Sequence, residues 1–201
     1  MEIRLLEDRK KINEIVEIHL LSFQGFFLTF LGRGFLKNLY EHFLYHSDSG
    51  IIVAIENERI IGFLAFSNDI SNFYKTLLKK RFFELGWYSF LATLRKPKVM
   101  FRLLRAFTYS KKSERKEKYI ELSSIGVLPN QERRNIGSKL IDKLKEIFES
   151  SDCKYIKLET DAIDNEKANN FYIKNGFTLQ GSYKTPEGRE MNEYLYKKVG
   201  K

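Results

Sequence analysis

The 201 residues are 43% hydrophobic and 14% aromatic with only three prolines, which excludes a chain disordered throughout and allows one domain with a core of ordinary size. No apolar run reaches the ~18 residues of a membrane-spanning helix, Met1-Glu2-Ile3-Arg4 does not open a signal peptide, and a lone Cys153 excludes an internal disulfide framework, so a cytoplasmic protein is expected. The net charge of +9 is uneven: fourteen basic residues against three glutamates between Lys75 and Lys118 give that stretch +11 and leave −2 elsewhere.

Residues 2–7 alternate as a first strand, and Asp8 is placed to cap a helix with Ile12, Ile15, Val16, His19 and Leu20 at helical spacing. After the run Gly25-Phe26-Phe27-Leu28-Thr29-Phe30-Leu31-Gly32, a second helix carries Phe35, Leu36, Leu39, Tyr40, Phe43 and Leu44 on one face. Ile51–Ile55 and Ile60–Phe66 flank the polar turn Glu56-Asn57-Glu58-Arg59 as a hairpin. The basic segment 69–118 reads as helices punctuated by Gly86 and Pro97. Then follow a strand over Tyr119–Val127, an amphipathic helix over Ile136–Phe148 and a strand over Tyr155–Thr160. A short helix from about Asn165 ends at Asn175-Gly176, and two strands surround Pro186-Glu187-Gly188. The order predicts an α/β domain built on a mixed, twisted sheet of about 6–7 strands flanked by helices, without internal repeats.

Two windows carry chemistry. In Val127-Leu128-Pro129-Asn130-Gln131-Glu132-Arg133-Arg134-Asn135-Ile136-Gly137-Ser138 a strand stops at proline and a doubly basic loop enters a helix. The open amides of a first helical turn, with the helix dipole, suit a pyrophosphate. Arg133 and Arg134 add mobile charge, Gly137 lets a phosphate approach the backbone, and Asn135 tolerates a left-handed conformation. The plainer reading is an ordinary strand-loop-helix connection with a solvated arginine pair. In the second window, Asn165–Phe177, Ala168 and Phe171 share a helix face, and taken alone Phe171 and Tyr172 read as core rather than catalytic.

Together the windows resemble the GNAT superfamily of acyl-CoA-dependent N-acetyltransferases. Val127 and Pro129 match its V-x-P element and Gly137 the final small residue of [QR]-x-x-G-x-[GA]. Asn165, Ala168, Phe171, Tyr172, Gly176 and Phe177 match N-x-x-A-x-x-[FL]-Y-x-x-x-G-F. Glu132 stands where Gln or Arg is usual, and is expected to face solvent; Asn135 replaces the first glycine. The match covers 119–199 well and 1–67 loosely. It implies a single domain over 1–201 with 69–118 as a helical basic insertion.

The resemblance implies acetyl-CoA as co-substrate, no metal, and direct attack of a small-molecule primary amine on the thioester. By analogy the strand before the loop splays from the next one. The backbone of Ile125, Gly126 and Val127 then holds pantetheine and polarises the carbonyl. Arg133, Arg134, Asn135, Ile136, Gly137 and Ser138 hold the pyrophosphate, and Asn165 lines the cofactor path. Glu121 lies six residues before Val127, a spacing at which some histone-acetylating relatives place a catalytic glutamate. Regular strand alternation puts it on the side of Ser123, Ile125 and Val127. Tyr172 is the implied proton donor to the departing thiolate. Cys153, after Ser150-Ser151-Asp152, reads as structural.

The run Gly25–Gly32 resembles one in a bacterial subgroup and implies an amino-sugar or other metabolite amine as acceptor. The insertion mixes lysines and arginines with Phe82, Phe83, Trp87 and Phe90. It reads as a cap with a solvated basic face, as peripheral membrane or lipid-linked-substrate contact, or as a surface for an acidic partner; no nucleic-acid motif is present. A homodimer is compatible with the resemblance. The rival functions are a longer-chain N-acyltransferase and a catalytically silent CoA-sensing module.

Overall fold

The computed structural model of the chain describes residues 1–95, 117–186 and 188–198. Strand β1 (Glu2–Leu5) leads through a 3-10 turn, Arg9–Lys11, into helix α1 (Ile12–Ser22). The Asp8 carboxylate accepts from the Lys10 amide at 2.8 Å, so the cap closes the 3-10 turn rather than the α-helix itself. A single turn, α2 (Phe27–Phe30), precedes α3 (Gly32–Tyr45), whose Phe35, Leu36, Leu39, Tyr40 and Phe43 are buried as their spacing predicts. Strands β2 (Ser49–Glu56) and β3 (Arg59–Ser67) form the hairpin, and α4 (Ile70–Arg95) follows. Beyond it come β4 (Tyr119–Val127), a 3-10 stretch Pro129–Arg134, α5 (Ile136–Glu149), β5 (Tyr155–Asp161), α6 (Glu166–Lys174), β6 (Thr178–Lys184) and β7 (Glu190–Lys197).

The strands make one sheet in the order β1-β2-β3-β4-β5-β7-β6. Every neighbouring pair is antiparallel except β4 with β5. Both faces of its centre are covered, which is why β2 reads as an unbroken apolar run. Ile51 and Val53 enter a core with Ile15, Leu36 and Phe43 from α1 and α3. Ile52 and Ala54 enter another with Leu140, Leu144 and Phe148 from α5. Each of these valine, leucine, isoleucine and phenylalanine side chains contributes about 1.5–3 kcal/mol when fully buried. Cys153 is a free thiol inside the second core, as a structural cysteine should be.

Helix α4 departs from its expected punctuation. The chain continues helically through Gly86 and breaks instead at Arg81, where φ is −126° and ψ 23°. There the Arg81 guanidinium reaches Glu41 Oε2 of α3 at 3.2 Å, while Arg9 holds Oε1 at 3.0 Å. Glu41 is only 3% exposed, and a buried carboxylate left unpaired is costly enough to bend a helix toward its partner. Before the kink Phe73 and Leu77 are buried; beyond it Leu85 is buried, yet Phe82, Phe83, Trp87 and Phe90 are 54–85% exposed. The cap therefore packs over part of its length, and its outer part shows aromatic rather than only basic surface. Pro97 and most of the remaining basic segment lie outside the described residues. Among those described, no helix is long and apolar enough to cross a membrane.

At the hairpin tip Asn57 (φ 49°) and Glu58 (φ 64°) are both left-handed, as a two-residue turn between right-twisted strands requires. Glutamate has no local compensation for that conformation, which costs roughly 1–2 kcal/mol in a residue with a Cβ. Glu58→Gly should therefore raise the unfolding free energy by about 1 kcal/mol in a urea titration; an unchanged midpoint would show that the turn is not strained.

Candidate active site

Strand β4 builds the site. Its register against β3 runs from Gly62↔Val127 to Ala65↔Ser124, then resumes at Phe66↔Leu122 and Ser67↔Glu121, leaving Ser123 unmatched as a bulge. One extra residue reverses the alternation. Glu121 therefore does not share a side with Ile125 and Val127, although regular alternation predicts that it does. It shares the helix α1/α3 side with Ser124 and Gly126: Ser124 Oγ lies 3.2 Å from Tyr40 Oη, and a Cβ on Gly126 would meet Phe63, Ser22 and Ile18. Ile125 and Val127 pack on the opposite core, beside Leu140 and Phe171.

On its other edge β4 pairs with β5 only at Tyr119↔Tyr155, Ile120↔Ile156 and Glu121↔Lys157. Beyond Glu121 the strands part, and the edge from Leu122 to Val127 that faces away from β3 has no strand partner among the described residues, although Ser22 Oγ donates to Val127 O at 3.1 Å. This is the expected splay, with backbone groups open to an extended ligand.

Past the fork, Pro129–Arg134 winds as a 3-10 stretch and Asn135 takes the left-handed conformation expected of it (φ 55°, ψ 23°) at the entrance of α5. The Asn135 side chain makes no capping bond. The amides of Ile136, Gly137 and Ser138, at the head of a helix, have no intrahelical acceptor and present a positive dipole end. Gly137 is also required by packing: a Cβ there would stand 3.0 Å from the Phe171 ring, so glycine lets α5 and α6 approach.

Arg134 is not the mobile charge expected of it. Its guanidinium is held by both oxygens of Glu56 at 2.7 Å and by Gln131 Oε1 at 2.7 Å, and the bond to Arg134 holds the Glu56 carboxyl below its usual range. The side chains of Glu132 and Arg133 lie outside the described residues. Asn165 precedes α6 and spends its amide on Thr160 Oγ1 (2.8 Å) and Asp161 O (3.2 Å), tying the helix to the end of β5. Tyr172 is 9% exposed among Phe171, Phe177 and Tyr194, and burial raises its pKa, so the phenol keeps its proton.

At the fork, sequence reading missed most of the residues around Glu121. Lys157 Nζ lies 2.8 Å from Glu159, 3.5 Å from Glu121 and 3.9 Å from Glu193. Tyr183 Oη donates to Glu159, and the Tyr74 hydroxyl of α4 is pushed up to about 12 by burial and then by the charges of Glu121 and Glu159. Burial opposes the Lys157 ammonium, yet Glu121 and Glu159 outweigh it and raise its pKa. The carboxyl of Glu121 is pushed up to about 7, by burial first, against the pull of Lys157 and with the push of Glu159. Its Oε2 is buried and, among the described residues, faces only the Lys157 ammonium, with no closer hydrogen bond. The signal was present: the alternation in Tyr155–Thr160 puts Lys157 and Glu159 on one face, beside the strand carrying Glu121. Among the described residues no group of three or more metal-ligating side chains is arranged for a metal ion.

No curated protein matches the chain in sequence. Solved structures match it closely in fold. A coenzyme A complex of an aminoglycoside 6'-N-acetyltransferase has a TM-score of 0.67 at 13% identity, covering 100% of this chain and 99% of that one. The polyamine N-acetyltransferase of Drosophila melanogaster scores 0.60 at 10% identity, covering 98% and 100%. The ribosomal-protein-S18-alanine N-acetyltransferase of Escherichia coli scores 0.60 at 13%, covering 98% and 92%. The model of the acetyltransferase (GNAT) family matches residues 12–177, most of the length and both sides of the fork, and the chain belongs to that family.

Proposed function

We propose that the protein transfers an acetyl group from acetyl-CoA directly to the primary amine of a cationic small molecule, with Glu121 as general base and Tyr172 as general acid. The observation that carries this reading is the parting of β4 from β5 at Glu121, which leaves an open strand edge with a titratable carboxylate at one end and a helix N-terminus following the other. The residues fit the co-substrate. Pyrophosphate oxygens find the amides of Ile136, Gly137 and Ser138, and the Ile125–Val127 edge offers backbone partners to pantetheine. Acetyl-CoA brings the activated thioester; the chain aligns it, takes a proton from the amine and returns one to sulfur.

An alkylamine with pKa near ~10.4 is mostly protonated at pH 7, a deficit of about 4–5 kcal/mol for direct attack. A base with a pKa near the working pH is the effective remedy. Glu121, pushed to about 7, is such a group. Glu159 and Glu193, beside it on the same sheet face, favour an acceptor bearing more than one cationic centre. That agrees with neighbours named for aminoglycoside and polyamine acetylation. The amino-sugar class suggested by the Gly25–Gly32 run remains within this description.

The exposed Phe82, Phe83, Trp87 and Phe90 favour a second reading, in which the same chemistry serves a lipid-linked acceptor at an anionic membrane surface.

Thiol release from acetyl-CoA against a panel of di- and polyamines tests the function, and no turnover with any amine in the presence of bound CoA would leave a CoA-sensing module instead. Glu121 accepts a proton only when ionised, so kcat/KM should rise with pH through about 7. Glu121→Gln should lower kcat about 10²-fold or more and remove that inflection. Stability offers a second check. A carboxyl raised in the folded state binds more protons there than in the unfolded chain, so stability falls as pH rises from about 4.5 to about 7, and Glu121→Gln should abolish that fall. Tyr172→Phe should retain acetyl-CoA binding and lose at least tenfold in turnover; full activity would remove the phenol from the mechanism. For the membrane reading, the protein should co-sediment with phosphatidylglycerol-containing vesicles at low salt, and a Phe83→Glu, Trp87→Glu variant should stay in solution. Wild type remaining in the supernatant would eliminate it.

A further inference from the structure

Behind the bulge of β4 lies a buried polar chain that the reaction as described does not use. His19 of α1 is 3% exposed and Tyr40 of α3 1% exposed. His19 Nδ1 and Tyr40 Oη are 2.7 Å apart, and Tyr40 Oη and Ser124 Oγ 3.2 Å apart. His19 packs its ring on Phe23 at 4.6 Å, and its Nε2 has no hydrogen-bond partner among the described residues. Buried polar groups so deep in an apolar core are costly unless satisfied, and this one runs to the single residue that flanks the bulge on the acceptor side.

The direction of the chain follows from its unpaired end. A neutral imidazole carries one N–H. If the proton sat on Nε2, a buried donor would be orphaned; if it sits on Nδ1, only a lone pair is left without a partner. Orphaned buried N–H groups are the rarer of the two, so Nδ1 carries the hydrogen. His19 then donates to Tyr40, Tyr40 donates to Ser124, and the Ser124 hydroxyl hydrogen is left to be donated elsewhere. A proton relay in the reverse sense is excluded, because burial pushes His19 down to about 4 and the imidazole does not hold an amine's proton at neutral pH.

We propose that the Ser124 hydroxyl is a hydrogen-bond donor to the acetyl oxygen as it becomes an oxyanion, and that Tyr40 and His19 are positioning residues that fix its direction. Ser124 immediately precedes Ile125, the first residue of the strand edge assigned to pantetheine, and lies on the Glu121 face from which the amine arrives. The hydrogen bond from Tyr40 occupies one lone pair of Ser124 Oγ and restrains the hydroxyl torsion, which leaves its hydrogen available to the acetyl oxygen. A preorganised donor of this kind already touches the bound carbonyl and strengthens as the oxygen becomes an oxyanion, so its loss falls mainly on kcat. The inference rests on the acetyltransferase reading.

The test uses the full-length protein with acetyl-CoA labelled at the thioester carbonyl, followed by infrared difference spectroscopy and steady-state kinetics. Bound wild type should shift the carbonyl to lower frequency. Ser124→Ala and Tyr40→Phe should each reverse part of that shift and lower kcat about 5- to 50-fold with the KM for acetyl-CoA unchanged. The double variant should be no worse than Ser124→Ala alone, because both act through one hydroxyl. Ser124→Thr should restore most of the loss, as should His19→Asn relative to His19→Leu, since the asparagine amide stands in for Nδ1–H. Thermal melting identifies any variant that has simply lost its fold, and the serine-to-threonine comparison then decides alone. A carbonyl frequency that is the same in wild type, Ser124→Ala and Ser124→Thr overturns this inference and leaves the acetyltransferase reading standing. Failure of wild type to bind acetyl-CoA overturns both.

Discussion

One strand keeps two bargains. β4 is bonded to β3 from Gly62↔Val127 to Ser67↔Glu121, but to β5 for three residues only. Everything at the site depends on that difference. The antiparallel side fixes β4 within a sheet whose two faces are both packed, so its free edge is held rigidly rather than presented on a loop. The parallel side lets go at Glu121, and α5 begins beyond the far end of β4, so the helix N-terminus follows the strand that carries the open edge. Backbone groups on a rigid edge suit a thioester better than side chains, since they lose no rotamer entropy on binding.

The bulge at Ser123 gives that edge its two-sided character. Without it Glu121 would point into the apolar core with Ile125 and Val127, where a carboxylate has no compensation. With it, Glu121 and Ser124 emerge on one side and Ile120, Leu122, Ile125 and Val127 pack on the other. The bulge also explains how far the sequence could be read. Element order, the mixed sheet and the conformations at Pro129, Asn135 and Gly176 were legible, because hydrophobic period, proline, asparagine and glycine are local signals. An extra residue in a strand is not local: it shows only when β3 is laid beside β4. For the same reason Glu121 was assigned to the wrong face while its role remained tenable.

Residues that act through distant partners were invisible for a related reason. Arg134 looked like a free cation, because Glu56 lies seventy-eight residues away in sequence and meets it only once the hairpin is folded. Gly86 looked like a break in α4, yet the break falls at Arg81, where a buried Glu41 from another helix draws the guanidinium inward. Local propensity gives way in both cases to the need to neutralise a specific carboxylate. The basic excess of the chain is likewise a property of the insertion rather than of the fork, whose own face carries more carboxylate than ammonium.

That imbalance is what leaves Glu121 chemically useful. Lys157 is 5% exposed and meets three carboxylates, so one ammonium is shared among Glu121, Glu159 and Glu193. It takes the short contact with Glu159 at 2.8 Å, which Tyr183 reinforces, and stands off from Glu121 at 3.5 Å. A tight Lys157–Glu121 pair would hold Glu121 ionised at low pH, a good ion and a poor base. A fully isolated Glu121 would stay protonated well above neutrality. Sharing the lysine puts Glu121 between these limits, pushed up to about 7, where a carboxylate accepts a proton from an amine and gives it up again to solvent within a turnover. With three carboxylates around one ammonium the cluster keeps a net negative charge, so under the proposed mechanism the arrangement that tunes the base also attracts a cationic amine.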